Sequence, residues 1–102
     1  MTPEGQIKKD ICTYLELKRV FYWVHQAGKI PGRRLLRTGI SDIIGIYKGR
    51  PMAIEVKAVK AKPTEEQVKF LEDFARAGGI AAVIRSVDQL ERLLSEVDKE
   101  SA

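Results

Sequence analysis

Two short apolar runs separated by turn formers constrain the fold of this chain more than any other feature. The runs are residues 43–47 and 52–57, and the turn formers between them are Lys48-Gly49-Arg50-Pro51. Strand-like runs at this separation, with Gly and Pro between them, are typical of a β-hairpin. The intervening stretch predicts a hairpin loop longer than the common two-residue turn.

Three ionisable residues lie at one end of this predicted hairpin. Asp42 precedes the first strand, and Glu55 and Lys57 stand near the end of the second. Residues two apart on a strand point to the same face, so Glu55 and Lys57 project together. Antiparallel pairing places the start of one strand beside the end of the other, which brings Asp42 next to them. Isolated charges on apolar strands are costly, so this convergence needs an explanation.

The remaining elements follow from capping signals and apolar periodicity. Thr2 and Pro3 suit the start of a helix, and Thr64-Glu65-Glu66-Gln67 has the capping-box pattern of another. The near-continuous apolar run 80–84 is typical of a strand buried on both faces. In chain order the sequence predicts a helix to about Lys18, a strand at 20–24, a loop at 26–39 with a short helical turn near Leu35-Leu36, the hairpin, a helix from Thr64, a strand at 80–84, and a helix lined by Leu90, Leu93, Leu94 and Val97.

This order predicts an α/β fold, a mixed four-stranded sheet flanked by helices, in a single domain over residues 1–102 with 98–102 as a frayed polar tail. The formal charge of +4 favours a polyanionic partner such as nucleic acid. Cys12 is the one cysteine, which excludes an intrachain disulfide and a cysteine-based metal cluster. A reducing, intracellular compartment is therefore expected, and the absence of a long apolar run predicts no membrane span.

Four sequence pieces, taken in order, resemble the VRR-NUC family, the virus-type replication-repair nuclease module. They are Glu4 in the first helix, Gly39-Ile40-Ser41-Asp42, Glu55-Val56-Lys57, and Gln67 early in the next helix. The resemblance covers the chain from Thr2 to about Leu94. It implies a restriction-endonuclease-like core of the PD-(D/E)xK type and the activity of a metal-dependent endodeoxyribonuclease.

The expected cofactor is Mg²⁺, with Mn²⁺ as a substitute, because these hard ions take oxygen ligands. Asp42 and Glu55 supply two carboxylates, and the resemblance implies that the Val56 carbonyl is a third ligand. Lys57 is expected to orient the attacking water and to offset developing charge. The alternative for this group of residues is a structural ion-pair cluster, since edge strands carry charges that prevent aggregation.

Glu4 and Gln67 each have two interpretations. Glu4 is either a metal-binding or catalytic residue, directly or through water, or a helix-end acid that interacts with the helix dipole. Gln67 completes a capping box with Thr64, and the resemblance implies that it also positions water or substrate. Both roles are compatible for Gln67, because helix N-termini and site loops often coincide.

A basic loop before Asp42 is the candidate DNA contact. The residues expected to bind phosphates are Lys29, Arg33, Arg34, Arg37 and, after the hairpin, Lys60. The alternative is a solvated run of charge. Trp23, Tyr22 and Phe21 are interpreted as core or dimer-interface residues, and His25 as a surface or structural histidine.

The resemblance also sets the expected substrate. Standalone members, mainly of phages and bacteria, imply a homodimer that resolves four-way (Holliday) junctions. The two-fold symmetry of a dimer would supply the two paired nicks that resolution needs. The first helix and first strand are interface candidates unless their apolar residues are all core. The alternatives are a flap nuclease, exonuclease or restriction-type enzyme with the same metal site, or a non-catalytic DNA-binding module.

Overall fold

The computed structural model describes residues 2–25 and 38–100. Its elements, in chain order, are α1 (Pro3–Leu17), β1 (Phe21–Val24), β2 (Ile43–Tyr47), β3 (Arg50–Val56), α2 (Glu65–Arg76), β4 (Ile80–Ile84) and α3 (Val87–Glu100). The predicted order of helices and strands is confirmed. The predicted helical turn near Leu35-Leu36 lies outside the described residues, as do Lys29, Arg33, Arg34 and Arg37.

The four strands form one mixed sheet in the order β1-β2-β3-β4. β1 and β2 pair antiparallel, as do β2 and β3, whereas β3 and β4 are parallel and joined through α2. Every residue from Met52 to Val56 is buried, because β3 lies between two other strands and under helices on both faces. β3 therefore provides the rigid element from which the candidate site projects.

The two faces of the sheet carry different layers. Ile43, Ile54 and Val56 belong to a core cluster with Ile11 and Leu15 of α1 and with the apolar side of α3. Glu55 points to the opposite face, where its side chain meets α2. Cys12 is a half-buried residue of α1 packed against the core.

The hairpin loop is shorter than the sequence predicted. Arg50 and Pro51 belong to β3, so the turn consists of Lys48 and Gly49 alone. Both residues have positive φ, 49° for Lys48 and 83° for Gly49, as a type I′ turn requires. Pro51 precedes Met52, the first residue of β3 that pairs with β4, so its missing N–H breaks no β3–β4 pairing.

Two further expectations need correction. β4 is an edge strand of the described sheet rather than a strand buried on both faces, and its three central residues are only half-buried. The helix α3 continues through Asp98 to Glu100, into the stretch predicted to fray. The Tyr47 hydroxyl and the Lys48 ammonium both donate to Asp98 Oδ1 at 2.7 Å, and these bonds hold the end of the helix.

The first helix and the first strand were the candidates for a dimer interface. Some of their apolar residues belong to the core, and others lie on the surface. The α1 stripe is core, since Ile11 and Leu15 have no exposed surface. On β1, Phe21 is 68 % exposed and Trp23 is 47 % exposed, so neither is a core residue, whereas Tyr22 packs against the core cluster. Over the described ranges, no helix is both long enough and apolar enough to cross a membrane.

Candidate active site

Asp42 and Glu55 meet at the sheet edge where β2 begins and β3 ends. Ile43 pairs with Ile54, and continuing this antiparallel register by one residue places Asp42 opposite Glu55. The Val56 N–H donates to Asp42 Oδ2 at 2.9 Å, which fixes the carboxylate against the end of β3. The Asp42 carbonyl accepts from the His25 N–H at 2.8 Å, so His25 ties β1 to this edge through its backbone. The predicted convergence is therefore present.

The Val56 backbone faces Asp42 rather than β4. The next residue, Lys57, donates its N–H to the Ile84 carbonyl of β4 at 3.2 Å, so the neighbouring peptide groups alternate sides. On an extended strand the N–H and C=O of one residue point to the same side. The Val56 carbonyl therefore points toward the side of the Asp42 carboxylate, where a third oxygen ligand was expected.

The Glu55 carboxylate is buried, and only one of its two oxygens accepts a hydrogen bond. The residue is 2 % exposed. Its Oε1 accepts from Gln67 Nε2 at 3.0 Å and lies 4.0 Å from Lys57 Nζ. Its Oε2 is buried and has no hydrogen-bond partner. A buried carboxylate oxygen without a donor is costly, and such an atom in a native fold calls for a missing cation, proton or water.

The pKa of Glu55 is raised from 4.5 to about 8. Desolvation by burial is the largest cause, and the adjacent Asp42 carboxylate is the next. Lys57 acts in the opposite direction, and Glu4 adds a further upward contribution. The positive charge around the two carboxylates is too small to offset their negative charge. A divalent cation between them would provide the missing charge.

Gln67 forms the predicted capping box with Thr64, and its side chain also contacts Glu55. Its side-chain Oε1 accepts from the Thr64 N–H at 2.8 Å, while its own N–H donates to Thr64 Oγ1 at 3.2 Å. These two bonds complete the capping box at the start of α2. The amide Nε2 remains free to donate to Glu55, so one side chain joins the helix start to the carboxylate.

The conformation and surroundings of Gly39 explain why a glycine is found three residues before Asp42. Its φ is 74°, a conformation that L side chains rarely adopt. A Cβ at this position would collide with the backbone of Glu66 and Gln67 in the first turn of α2. The glycine therefore allows the segment leading to Asp42 to contact the helix that carries Gln67.

Among the described residues, a lysine lies 4.0 Å from each of the two carboxylates. Lys57 Nζ is that far from Glu55 Oε1, and Lys8 Nζ is that far from Asp42 Oδ1. Lys8 was not among the site residues predicted from the sequence. The available signal was its position four residues after Glu4, which places both side chains on one face of the helix.

The donor set fits Mg²⁺ or Mn²⁺. Across residues 2–25 and 38–100, no group of three or more His, Cys, Asp or Glu side chains could hold a metal. Two carboxylates and a backbone carbonyl are nevertheless sufficient for Mg²⁺, which binds few protein ligands and keeps several waters. The buried, unpartnered Glu55 Oε2 is the atom that a bound cation would satisfy.

Two other predicted residues lie farther from this pair. Glu4 is half-buried in the first turn of α1 and acts on Glu55 through its charge. Lys60 is exposed in the connection between β3 and α2. The chain carries these residues near the same sheet edge, but neither contacts Asp42 or Glu55 through a described hydrogen bond.

Comparison with known proteins places most of the chain in one family. The family model of the VRR-NUC domain matches residues 3–88, which include every described element of the site from Glu4 to Gln67. No curated protein matches the chain.

Proposed function

Since the chain belongs to the VRR-NUC family, and is thus a nuclease of the PD-(D/E)xK type, we propose that it is a divalent-metal-dependent endonuclease that acts on branched DNA. The observation that carries metal dependence is the Glu55 carboxylate, buried beside Asp42 with one oxygen unpartnered. A structural ion-pair cluster would satisfy both oxygens, because burial of an unpaired carboxylate oxygen is otherwise costly.

Different residues of the chain have different roles in the proposed hydrolysis of the phosphodiester bond. Asp42, Glu55 and the Val56 carbonyl would hold Mg²⁺ or Mn²⁺, which when bound supplies Lewis acidity and lowers the pKa of a coordinated water. Lys57 holds an ammonium group beside Glu55, where it orients a water and offsets charge at the transferred phosphate. Gln67 donates to Glu55 Oε1 and so restrains the orientation of the carboxylate.

We propose four-way junctions as the preferred substrate and a homodimer as the active form. A monomer offers one catalytic edge, whereas resolving a junction takes two symmetric nicks. The support from this chain is an exposed apolar patch formed by Phe21, Trp23 and Ile46. The rings of Phe21 and Trp23 meet edge to face with centroids 5.9 Å apart. Contiguous exposed apolar surface of this kind marks interaction sites.

A substrate panel tests the proposed function. The protein is incubated with Mg²⁺ and synthetic four-way junctions, flaps, single-stranded ends and linear duplex, each with Glu55→Gln as the control. Junctions cut in preference to the other substrates would support resolution. Equal cutting of all substrates would contradict the junction preference, preferred cutting of flaps or ends would favour the alternative nucleases, and binding without any cleavage would favour a non-catalytic module.

A pair of substitutions separates the two roles of Gln67. Thr64→Ala removes the capping hydroxyl but leaves the Gln67–Glu55 bond available, so we expect a loss of about 1 kcal/mol in unfolding free energy and nearly unchanged cleavage. Gln67→Ala removes both interactions and should also slow cleavage about tenfold, since one hydrogen bond to a charged group is worth about 1.5–3 kcal/mol. Denaturant unfolding and single-turnover rates measure the two effects. Equal rates for the two variants would restrict Gln67 to helix capping.

The proposed dimer predicts a specific effect at Phe21. Phe21→Lys places a charge in the exposed patch and should weaken dimerisation at least about tenfold, because a buried unpaired charge opposes association. Leu17→Lys is the matched control, since Leu17 is another exposed apolar residue but lies at the end of α1. Sedimentation velocity over a concentration series gives the dissociation constants. If Phe21→Lys forms dimers as readily as the wild type, the dimer interface lies elsewhere on the protein.

A further inference from the structure

Arg85 lies beyond the end of β4, beside the point where the chain leaves the catalytic edge. The parallel pairing of β3 and β4 ends with the Lys57 N–H donating to the Ile84 carbonyl at 3.2 Å. The next residue on the β4 side is Arg85, and its Nη1 reaches three backbone carbonyls. These belong to Ala58 at 2.5 Å, Ala61 at 2.6 Å and Val59 at 3.3 Å.

Those carbonyls belong to the connecting loop, residues 58–63, between β3 and α2. The loop contains a turn in which the Ala61 N–H donates to the Ala58 carbonyl at 3.1 Å. Lys57 precedes the loop directly, and the capping box of Thr64 and Gln67 follows it. The loop therefore sets the relative position of two side chains that both contact Glu55, the Lys57 ammonium and the Gln67 amide.

The backbone of Arg85 is fixed by hydrogen bonds that involve Gln89. Its N–H donates to Gln89 Oε1 at 2.7 Å, and Gln89 Nε2 donates to the Val83 carbonyl at 3.1 Å. Gln89 is in turn fixed at the start of α3, where its N–H donates to Ser86 Oγ at 3.1 Å. The guanidinium thus extends from a strand end that is itself fixed by hydrogen bonds, and a single nitrogen, Nη1, contacts all three carbonyls.

We propose that Arg85 is a positioning residue of the nuclease: it holds the connecting loop so that Lys57 and Gln67 both face Glu55. This inference rests on the proposed function. Removing the guanidinium takes a donor from three carbonyls, of which only that of Ala58 keeps another, the Ala61 N–H, and the loop is then held less firmly at both ends of the turn. A displacement of about 1 Å at a catalytic group can lower a rate about a hundredfold even when the change is remote from the reacting atoms.

The test compares Arg85→Ala and Arg85→Lys with Arg92→Ala. Arg92 is the matched control because it is an exposed arginine whose Nε also donates to a backbone carbonyl, that of Asp88, away from the loop. At a temperature where all variants are folded, the single-turnover rate of Arg85→Ala should fall roughly 10- to 100-fold with junction affinity changed less than about twofold. Arg85→Lys should recover part of the rate, and added guanidinium should partly rescue Arg85→Ala. The Arg92→Ala rate should equal that of the wild type.

Amide exchange tests the geometry without any cleavage assay. The Ala61 amide, bonded within the turn, should exchange at least about tenfold faster in Arg85→Ala than in the wild type. Unchanged Ala61 exchange, or an unchanged cleavage rate in the folded Ala variant, would overturn the inference. Weaker junction binding with a reduced salt slope would overturn it too, since Arg85 would then contact a phosphate. A wild-type protein that cuts no DNA contradicts the proposed function, whereas the exchange result still reports on the loop.

Discussion

Asp42→Asn and Glu55→Gln are each expected to lower cleavage about a thousandfold while leaving DNA affinity nearly unchanged. A bound metal supplies several kcal/mol of transition-state stabilisation, and about 1.4 kcal/mol corresponds to a factor of ten in rate. Both changes preserve the local fold. Asn retains an oxygen that accepts from the Val56 N–H, and Gln retains one that accepts from Gln67.

The measurement combines single-turnover cleavage in Mg²⁺ with fluorescence anisotropy of a labelled junction in EDTA. Glu72→Gln is the matched control, because Glu72 is an exposed glutamate on α2, away from the catalytic edge. It should match the wild type in both assays. Cleavage that survives either site substitution would remove the metal site from the mechanism. Binding that is lost in parallel with cleavage, in a folded variant, would contradict the separation between the carboxylates and the DNA-contacting residues.

In the absence of metal, the stability of the protein is expected to fall as the pH rises from about 4.5 to about 8. The folded state holds a proton on Glu55 up to about pH 8, whereas the unfolded chain releases it near 4.5. The folded state therefore binds more protons in this window, and unfolding becomes easier as the pH increases. Each pKa unit corresponds to about 1.4 kcal/mol, so the loss is about 5 kcal/mol at most.

Urea unfolding in EDTA at several pH values measures this dependence. Glu55→Gln cannot ionise, so it should lose most of the slope and be more stable than the wild type at about pH 8. Mg²⁺ or Mn²⁺ added at that pH should raise the melting temperature of the wild type and have little effect on the Gln variant, because the ion binds the folded, ionised carboxylates. Equal pH slopes for the two proteins would show that Glu55 ionises freely in the folded state.

The convergence of Asp42 with Glu55 and Lys57 could be predicted because an antiparallel hairpin brings the start of its first strand beside the end of its second. The residue directly opposite Asp42 could not, because the longer loop that was predicted would pair Asp42 with Lys57. Two apolar runs and a turn fix an antiparallel pair, and a period of two fixes which side chains share a face. The capping box was equally local, since Thr64 and Gln67 are three residues apart. Features of this kind follow from short-range rules, so they can be predicted from the sequence.

The features that were missed depend on contacts between distant segments or on unusual backbone. The two-residue turn requires positive φ at Lys48, which a non-glycine residue seldom adopts, so the sequence favoured a longer loop. The contact of Gly39 with α2 and the bonds from Arg85 to the connecting loop join segments separated by more than 20 residues. No periodic pattern along the chain reports such contacts. The exposure of Phe21 and Trp23 is also tertiary, because α2 packs on β3 and β4 and does not contact β1.

The Lys48-Gly49 turn lies at the other end of β2 and β3 from the two carboxylates. Five residues of strand separate them, about 17 Å. No heavy atom would lie within 4 Å of a Cβ at Gly49, so the space around the turn is open. Replacing Gly49 would strain the backbone, because its φ is 83°. Hairpin loops of other lengths are common, so a short insertion in this turn is preferable to a replacement of Gly49. The turn thus provides a site for a fluorophore or a surface tether, from which individual cleavage events could be observed with the catalytic edge left accessible.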